Sequence, residues 1–201
     1  MAHKKYQIYC DMDGVLCNYN WAASKALYEK FGLTGEIITD HDFYGFVSDL
    51  SKVYGMSSEF NANIAKTYSV KDRYLMTFIK IIPNAMRYML GDDQEFWANL
   101  PWQSGGSQLW QFIKEFDPII LSSPMYEGSK LGKQEWVNKN LGENVQIILK
   151  SDKSTYANPN SILIDDFTKH LNPWVEAGGI AVHHKIPKDT ISHLKSLLNL
   201  R

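Results

Sequence analysis

The sequence predicts an α/β sandwich, a parallel sheet between layers of helix, interrupted near its amino end by a smaller helical insertion. Three observations predict it. Short apolar runs of β-forming residues recur at 6–10, 118–122, 145–149, 161–164 and 179–182. Helical patterns at 130–140 and 168–177 lie between later runs and one at 189–200 follows the last, and strands alternating with helices imply right-handed crossovers and parallel pairing. Between the first run and the second, residues 21–104 carry helical periodicity and aromatics but no convincing strand.

The elements follow in order. Residues 6–10 read Tyr-Gln-Ile-Tyr-Cys and end in an acidic turn. The insertion opens with a helix over 21–31 that closes on Gly32, a residue suited to a helix C-terminus. Helices over 58–67 and 72–81 follow, and Pro83 and the Gly91-Asp92-Asp93 turn divide the rest into short helices. The last helix places Ile191, Leu194, Leu197 and Leu198 at helical spacing behind Asp189 as N-cap. The expected division is a core of 1–20 with 105–201 and a helical cap of 21–104. The ends of the insertion adjoin the first two strands in the chain, so it is expected above their carboxyl ends.

Composition limits the function classes. The 201 residues are 44% hydrophobic, 13% aromatic and 21% charged, enough apolar material for a packed core and too little charge for a disordered chain. Lys and Arg number 21 against 22 Asp and Glu. The basic excess that draws proteins to nucleic acid is therefore absent, and no nucleic-acid polymer is expected as partner. No stretch reaches the roughly 18 apolar residues of a membrane span, and residues 1–5 lead into the first strand without a signal-peptide apolar region. A cytoplasmic protein with no membrane partner is expected. The two cysteines, Cys10 and Cys17, form neither a C-x-x-C pattern nor a disulfide framework and read as reduced structural thiols.

The chemistry concentrates at strand ends, where parallel α/β sheets bind ligands. The first strand ends in Asp11-Met12-Asp13-Gly14-Val15-Leu16. A spacing of two along extended chain aims both carboxylates to one side, and Gly14 permits the tight turn that follows. The second strand ends in Ser122-Ser123, hydroxyls suited to phosphate oxygens, and the fourth in Asp165-Asp166. Adjacent carboxylates after a buried strand are unfavourable unless a cation meets them. Lys133 follows the second strand, and Lys150 and Lys153 flank the loop after the third. Four carboxylates against Lys133 and Lys153 leave a net charge of about −2, a poor phosphate site unless a divalent cation joins it. All the candidate ligands are oxygens, which favours Mg²⁺; zinc would want a His or Cys cluster, and His183-His184 is an isolated pair.

In this order the residues resemble the four motifs of the haloacid dehalogenase-like phosphohydrolases, and the insertion resembles the type 1 cap of that superfamily. Within it, the pattern is similar to the 5'(3')-deoxyribonucleotidases and their bacterial and phage relatives. The similarity rests on Asp11-Met-Asp-Gly-Val-Leu, Ser122-Ser123-Pro124, Lys133 with Glu135-Trp136-Val137, Asp152-Lys153 and Ile164-Asp165-Asp166. It covers residues 5–26 and 105–184, and the cap only weakly. A Rossmann-like core is what the resemblance implies. It also implies roles: Asp11 as the nucleophile that forms an aspartyl-phosphate, and Asp13 as general acid and then base. Ser122 and Ser123 would hold phosphate oxygens. Lys133 and Lys153 would neutralise the phosphoryl charge and orient Asp11, with the principal motif lysine left open. Mg²⁺ would be held by Asp11, the Asp13 backbone carbonyl, Asp165 and Asp166, one of the last two directly and the other through water.

The implied activity is Mg²⁺-dependent hydrolysis of nucleoside monophosphates, deoxyribonucleotides first. Tyr19 stands where the deoxyribonucleotidases carry an aromatic against the base, and Phe46 and Trp97 are further candidates to sandwich a flat ring. Two alternatives stay open: the same chemistry on a polynucleotide 3'-phosphate or a small metabolite phosphate, and a non-catalytic nucleotide-binding protein with this fold. The expected partner is a small-molecule nucleotide, with a second copy of the chain as an open alternative.

Overall fold

A computed structural model describes residues 6–19, 22, 23, 26 and 90–200. The chain divides into two compact units, Met1–Asn20 with Asp93–Arg201, and Trp21–Asp92. The helices expected over 21–31, 58–67 and 72–81, and Phe46, lie outside the described residues.

In the first unit, five strands form one parallel sheet: β1 (Gln7–Cys10), β2 (Ile119–Ser122), β3 (Ile147–Leu149), β4 (Ser161–Asp165) and β5 (Ile180–His183), in the order β3-β2-β1-β4-β5. The described helices are α1 (Gln94–Ala98), α2 (Gly106–Ile113), α3 (Glu127–Asn140), α4 (Thr168–Glu176) and α5 (Pro187–Leu197). All five strands lie where the sequence places them, because a strand buried on both faces reads as a continuous apolar run. Helix α5 starts earlier than expected. Its N-cap is Ile186, and Asp189 lies within the first turn. Pro187 explains this, since its fixed φ favours a first helical position where its missing N–H is no loss.

Residues 93–104, expected in the insertion, belong to the same compact unit as the sheet. Helix α1 is capped by Asp93, whose carboxylate accepts from Phe96 N, and it packs lengthwise on α3. Trp136 Nε1 donates to Leu100 O at 2.7 Å and Gln94 Nε2 to Glu135 Oε2 at 3.1 Å. Gly132 makes the approach possible, because a Cβ there would collide with the Gln94 carbonyl and with Trp97. Sequence periodicity marks α1 as helix but carries no sign of the helix it packs on.

The core sits on the sheet. On one face Tyr9, Leu121 and Leu163 pack against Leu171 and Trp174 of α4. Strand alternation turns Ile8, Cys10, Ile120, Ile162 and Ile164 to the other face, and all five are fully buried. Register aligns the chemistry. Cys10 pairs with both Ile120 and Ile164, so Asp11, Ser122 and Asp165 leave three adjacent strands at nearly one level.

Leu163→Ala removes the central side chain of the α4 cluster and is expected to destabilise the unit by about 2–5 kcal/mol in urea denaturation followed by tryptophan fluorescence. A loss below about 1 kcal/mol would mean that this cluster does not hold α4 to the sheet.

Candidate active site

The first carboxylate is anchored by backbone. Asp11 N donates to Ile164 O at 2.8 Å, which ties the end of β1 to β4. The chain then closes a tight turn in which Leu16 N and Cys17 N both donate to Met12 O at 2.9 Å. Gly14 takes φ +76°, a left-handed conformation that favours glycine, and a Cβ there would strike the Asp166 carboxylate. The absent side chain thus leaves room for Asp166 beside the Asp11–Asp13 turn.

Two buried lysines meet these acids. Lys133, from α3, is 0% exposed, and its ammonium donates to Asp13 Oδ2 at 2.6 Å, Ser122 Oγ at 2.8 Å and Ser123 O at 2.8 Å. Lys153, 2% exposed, opens the short 3₁₀ turn after β3. Its Nζ lies 2.6 Å from Asp165 Oδ2 and 2.8 Å from Asp11 Oδ1. The Asp165 contact is a hydrogen bond, and the Asp11 contact is a buried ion pair. Buried ammoniums persist only when paired in this way. Asp165 is wholly buried and fully used: Oδ2 also accepts from His170 Nδ1 at 3.0 Å, and Oδ1 accepts from Phe167 N at 2.9 Å.

Electrostatics separates the carboxylates. Burial pushes the Asp11 carboxyl up to about 6; Lys153 opposes the rise, and the charges of Asp165 and Asp13 add to it. Burial would raise Asp165 too, but the hydrogen bond from His170 and the charge and hydrogen bond of Lys153 outweigh it and hold this carboxyl below its ordinary range. Asp166 is raised by desolvation and by the charges of Asp165 and Asp13. For Lys153, desolvation pulls downward, yet Asp11 and Asp165 prevail and raise it. Burial first, then the neighbouring carboxylates, raise the thiols of Cys10 and Cys17, so both remain protonated. The Cys17 thiol lies 3.3 Å from Met12 O and 3.5 Å from Asp13 Oδ1.

The fold therefore brings together Asp11, Asp13, Ser122, Lys133, Lys153 and Asp165 through direct contacts. Ser123 offers its carbonyl to Lys133, and its buried Oγ has no hydrogen-bond partner among the described residues. Asp166 is exposed beside Gly14. His170 was not foreseen. Its signal is its position in the first turn of the helix after β4, from which side chains lean back toward the strand end.

The aromatic expectations divide. Tyr19 is half-buried, stacked on Trp97 at 5.0 Å and 12°, and burial followed by the Asp13 charge raises its phenol. Trp97 is 0% exposed, so the expected role as a surface for a base is corrected: the ring is packed against Tyr19 and lies under the Lys133 ammonium.

Cation sites follow from the same contacts. Ligand atoms of Asp11, Asp165 and His170 lie within 4.8 Å of one another, but the Lys153 ammonium already bonds Asp165 and pairs with Asp11 there. The oxygens left for a metal are those of Asp11, Asp13 and Asp166. These hard donors suit Mg²⁺; burial first, and neighbouring carboxylates after it, disfavour the charged forms of Asp11 and Asp166, which a cation there would favour.

Because the folded chain raises the Asp11 carboxyl from its ordinary 3.8 to about 6, its proton is held more tightly when folded. In metal-free protein this stability contribution falls as pH rises from 3.8 to about 6. Asp11→Asn removes the charge and is expected to stabilise the chain at pH 7 in EDTA by about 1–3 kcal/mol, a few degrees of melting temperature. A variant less stable than the parent would show that Asp11 is not a strained, uncompensated charge.

No protein-family model and no curated protein sequence matches the chain. Solved structures do. A haloacid dehalogenase-like hydrolase of Xanthomonas campestris aligns with a TM-score of 0.51 at 11% identity, over 97% of this chain and 93% of that one. The Bacillus subtilis HAD hydrolase YfnB, solved with magnesium bound, aligns with a TM-score of 0.50 at 12% identity, over 98% of this chain and 100% of that one. The parallel sheet flanked by helices is thus similar in fold to the haloacid dehalogenase-like hydrolases.

Proposed function

We propose that the chain is a Mg²⁺-dependent phosphomonoesterase that works through an aspartyl-phosphate on Asp11. One observation carries the reading: two carboxylates two residues apart at the end of β1, each held by its own buried lysine, with Ser122 on the second lysine. Asp11 presents a carboxylate oxygen to phosphorus, forming the acyl phosphate as the P–O bond to the leaving alkoxide breaks. Asp13 delivers the proton that the alkoxide takes up, and afterwards accepts one from the water that cleaves the acyl phosphate. Lys153 fixes the orientation of Asp11, and Lys133 with the Ser122 and Ser123 hydroxyls receives the phosphoryl oxygens. Asp11, Asp13 and Asp166 would hold Mg²⁺, which when bound would supply charge neutralisation at the phosphoryl group. Asp165 serves by orienting Lys153, since all its acceptors are turned to the protein.

The substrate class in this proposal is a nucleoside monophosphate. It is supported by the resemblance of the strand-end residues to the deoxyribonucleotidases and by Tyr19, half-buried within the field of Asp13. The burial of Trp97 favours a second reading, a small metabolite phosphate, because it leaves Tyr19 alone among the described candidates for stacking.

Inorganic phosphate release from 5'- and 3'-monophosphates, deoxy and ribo, and from sugar phosphates tests both. Cleavage of dUMP or dTMP at least about tenfold faster than the sugar phosphates, about 1.4 kcal/mol in the transition state, is the expected result. Equal rates across the panel would leave the chemistry standing and overturn the nucleotide assignment. Asp11→Asn is expected to abolish turnover, Asp13→Asn to lower kcat by about 10²–10⁴, and EDTA to stop release until Mg²⁺ is restored. Parent-like turnover by Asp11→Asn would remove it as nucleophile.

A further inference from the structure

Trp97 has no part in the reaction proposed above, yet it is among the largest fully buried side chains of the described residues and lies against one of the two lysines. The Lys133 ammonium stands 4.8 Å from the centroid of the Trp97 ring, inside the range of a cation–π contact. Its three protons are already directed to Asp13 Oδ2, Ser122 Oγ and Ser123 O. Asp13 supplies the one counter-charge, at 2.6 Å, and the rest of the ammonium's surroundings must be met in a place that water does not reach. An indole face supplies negative potential there without competing for a proton.

The neighbouring geometry keeps the ring in place. Tyr19 stacks on it at 5.0 Å, Phe96 meets it edge-on at 5.5 Å and 85°, and Gly132, one residue before the lysine, lets α1 approach α3 closely enough for the ring to reach. Further along α3, Trp136 to Leu100 and Lys139 to Asn99 hold the same segment to the same helix.

We propose that Trp97 is a positioning residue for Lys133: its buried ring face carries the ammonium and holds it between Asp13 and Ser122 in the geometry the phosphoryl group meets. The inference rests on the phosphomonoesterase reading. A lysine has four flexible carbons, and removing the platform restores rotamers that take the ammonium off Asp13.

Trp97→Phe retains an aromatic face; Trp97→Leu retains apolar bulk without one. Both lose volume, so thermal melting is expected to fall by similar amounts in the two. On the best phosphomonoester of the panel, Trp97→Leu is expected to lower kcat about tenfold with KM within about threefold, and Trp97→Phe to retain kcat within about threefold of the parent. A purely packing role predicts that kcat follows melting temperature and falls equally in both, and this outcome, or parent kcat in Trp97→Leu, overturns the proposal. A second readout does not need turnover. The ε-methylene protons of Lys133, assigned by their loss in Lys133→Met, are expected to resonate upfield in the parent and to move downfield by several tenths of a ppm in Trp97→Leu. An unshifted lysine in the parent overturns the platform whether or not the chain is a phosphatase, and absence of phosphate release with a shifted lysine overturns only the reaction.

Discussion

The burial of two ammonium groups is the constraint on which the rest of this site depends. Lys133 and Lys153 have almost no exposed surface, and a lysine in that state keeps its charge only if carboxylates or carbonyls surround it. Those acceptors come from the carboxyl ends of β1, β2 and β4, adjacent strands in the sheet order. The relation runs both ways. Asp11, Asp13 and Asp165 could not share one end of a sheet without the ammoniums between them, so the pairings are as much a condition of the local fold as a preparation for chemistry.

The compensation is incomplete, and the imbalance has a direction. Asp165 is held low by His170 and Lys153, whereas Asp11 and Asp166 are pushed up by desolvation and by their acidic neighbours. One carboxylate is thereby bound into the protein's own contacts, and the charged forms of the other two are disfavoured. A buried carboxylate kept where its charge is disfavoured lowers stability, a cost that functional sites commonly carry.

The aromatic residues belong to a different layer of the design. Tyr19, just before the insertion, clusters with Phe96 and Trp97, just after it, and Trp97 lies against the lysine of α3. A ring expected to face a ligand instead packs against Tyr19 and the Lys133 ammonium.

Much of this was legible in the sequence because it depends on near neighbours. The β runs at 119–122 and 161–165, the turn at Gly14 and the strand-end residues Asp11, Asp13, Ser122 and Asp165 all follow from periodicity, turn chemistry and the rule that parallel sheets work at their carboxyl ends. Two things were decided only by tertiary structure. The engagement of Asp165 by Lys153 and His170 required bringing three separate elements together. The burial of Trp97 required the contact between α1 and α3, 40 residues apart along the chain between Asn99 and Lys139, which Gly132 permits. The start of α5 at Pro187 rather than behind Asp189 was local, and a proline preference outweighed an acidic cap. Periodicity reports which face of an element is apolar and carries nothing about the partner that covers it, and charge compensation is a property of distances between elements, so both became visible only when the sheet had brought the strand ends together.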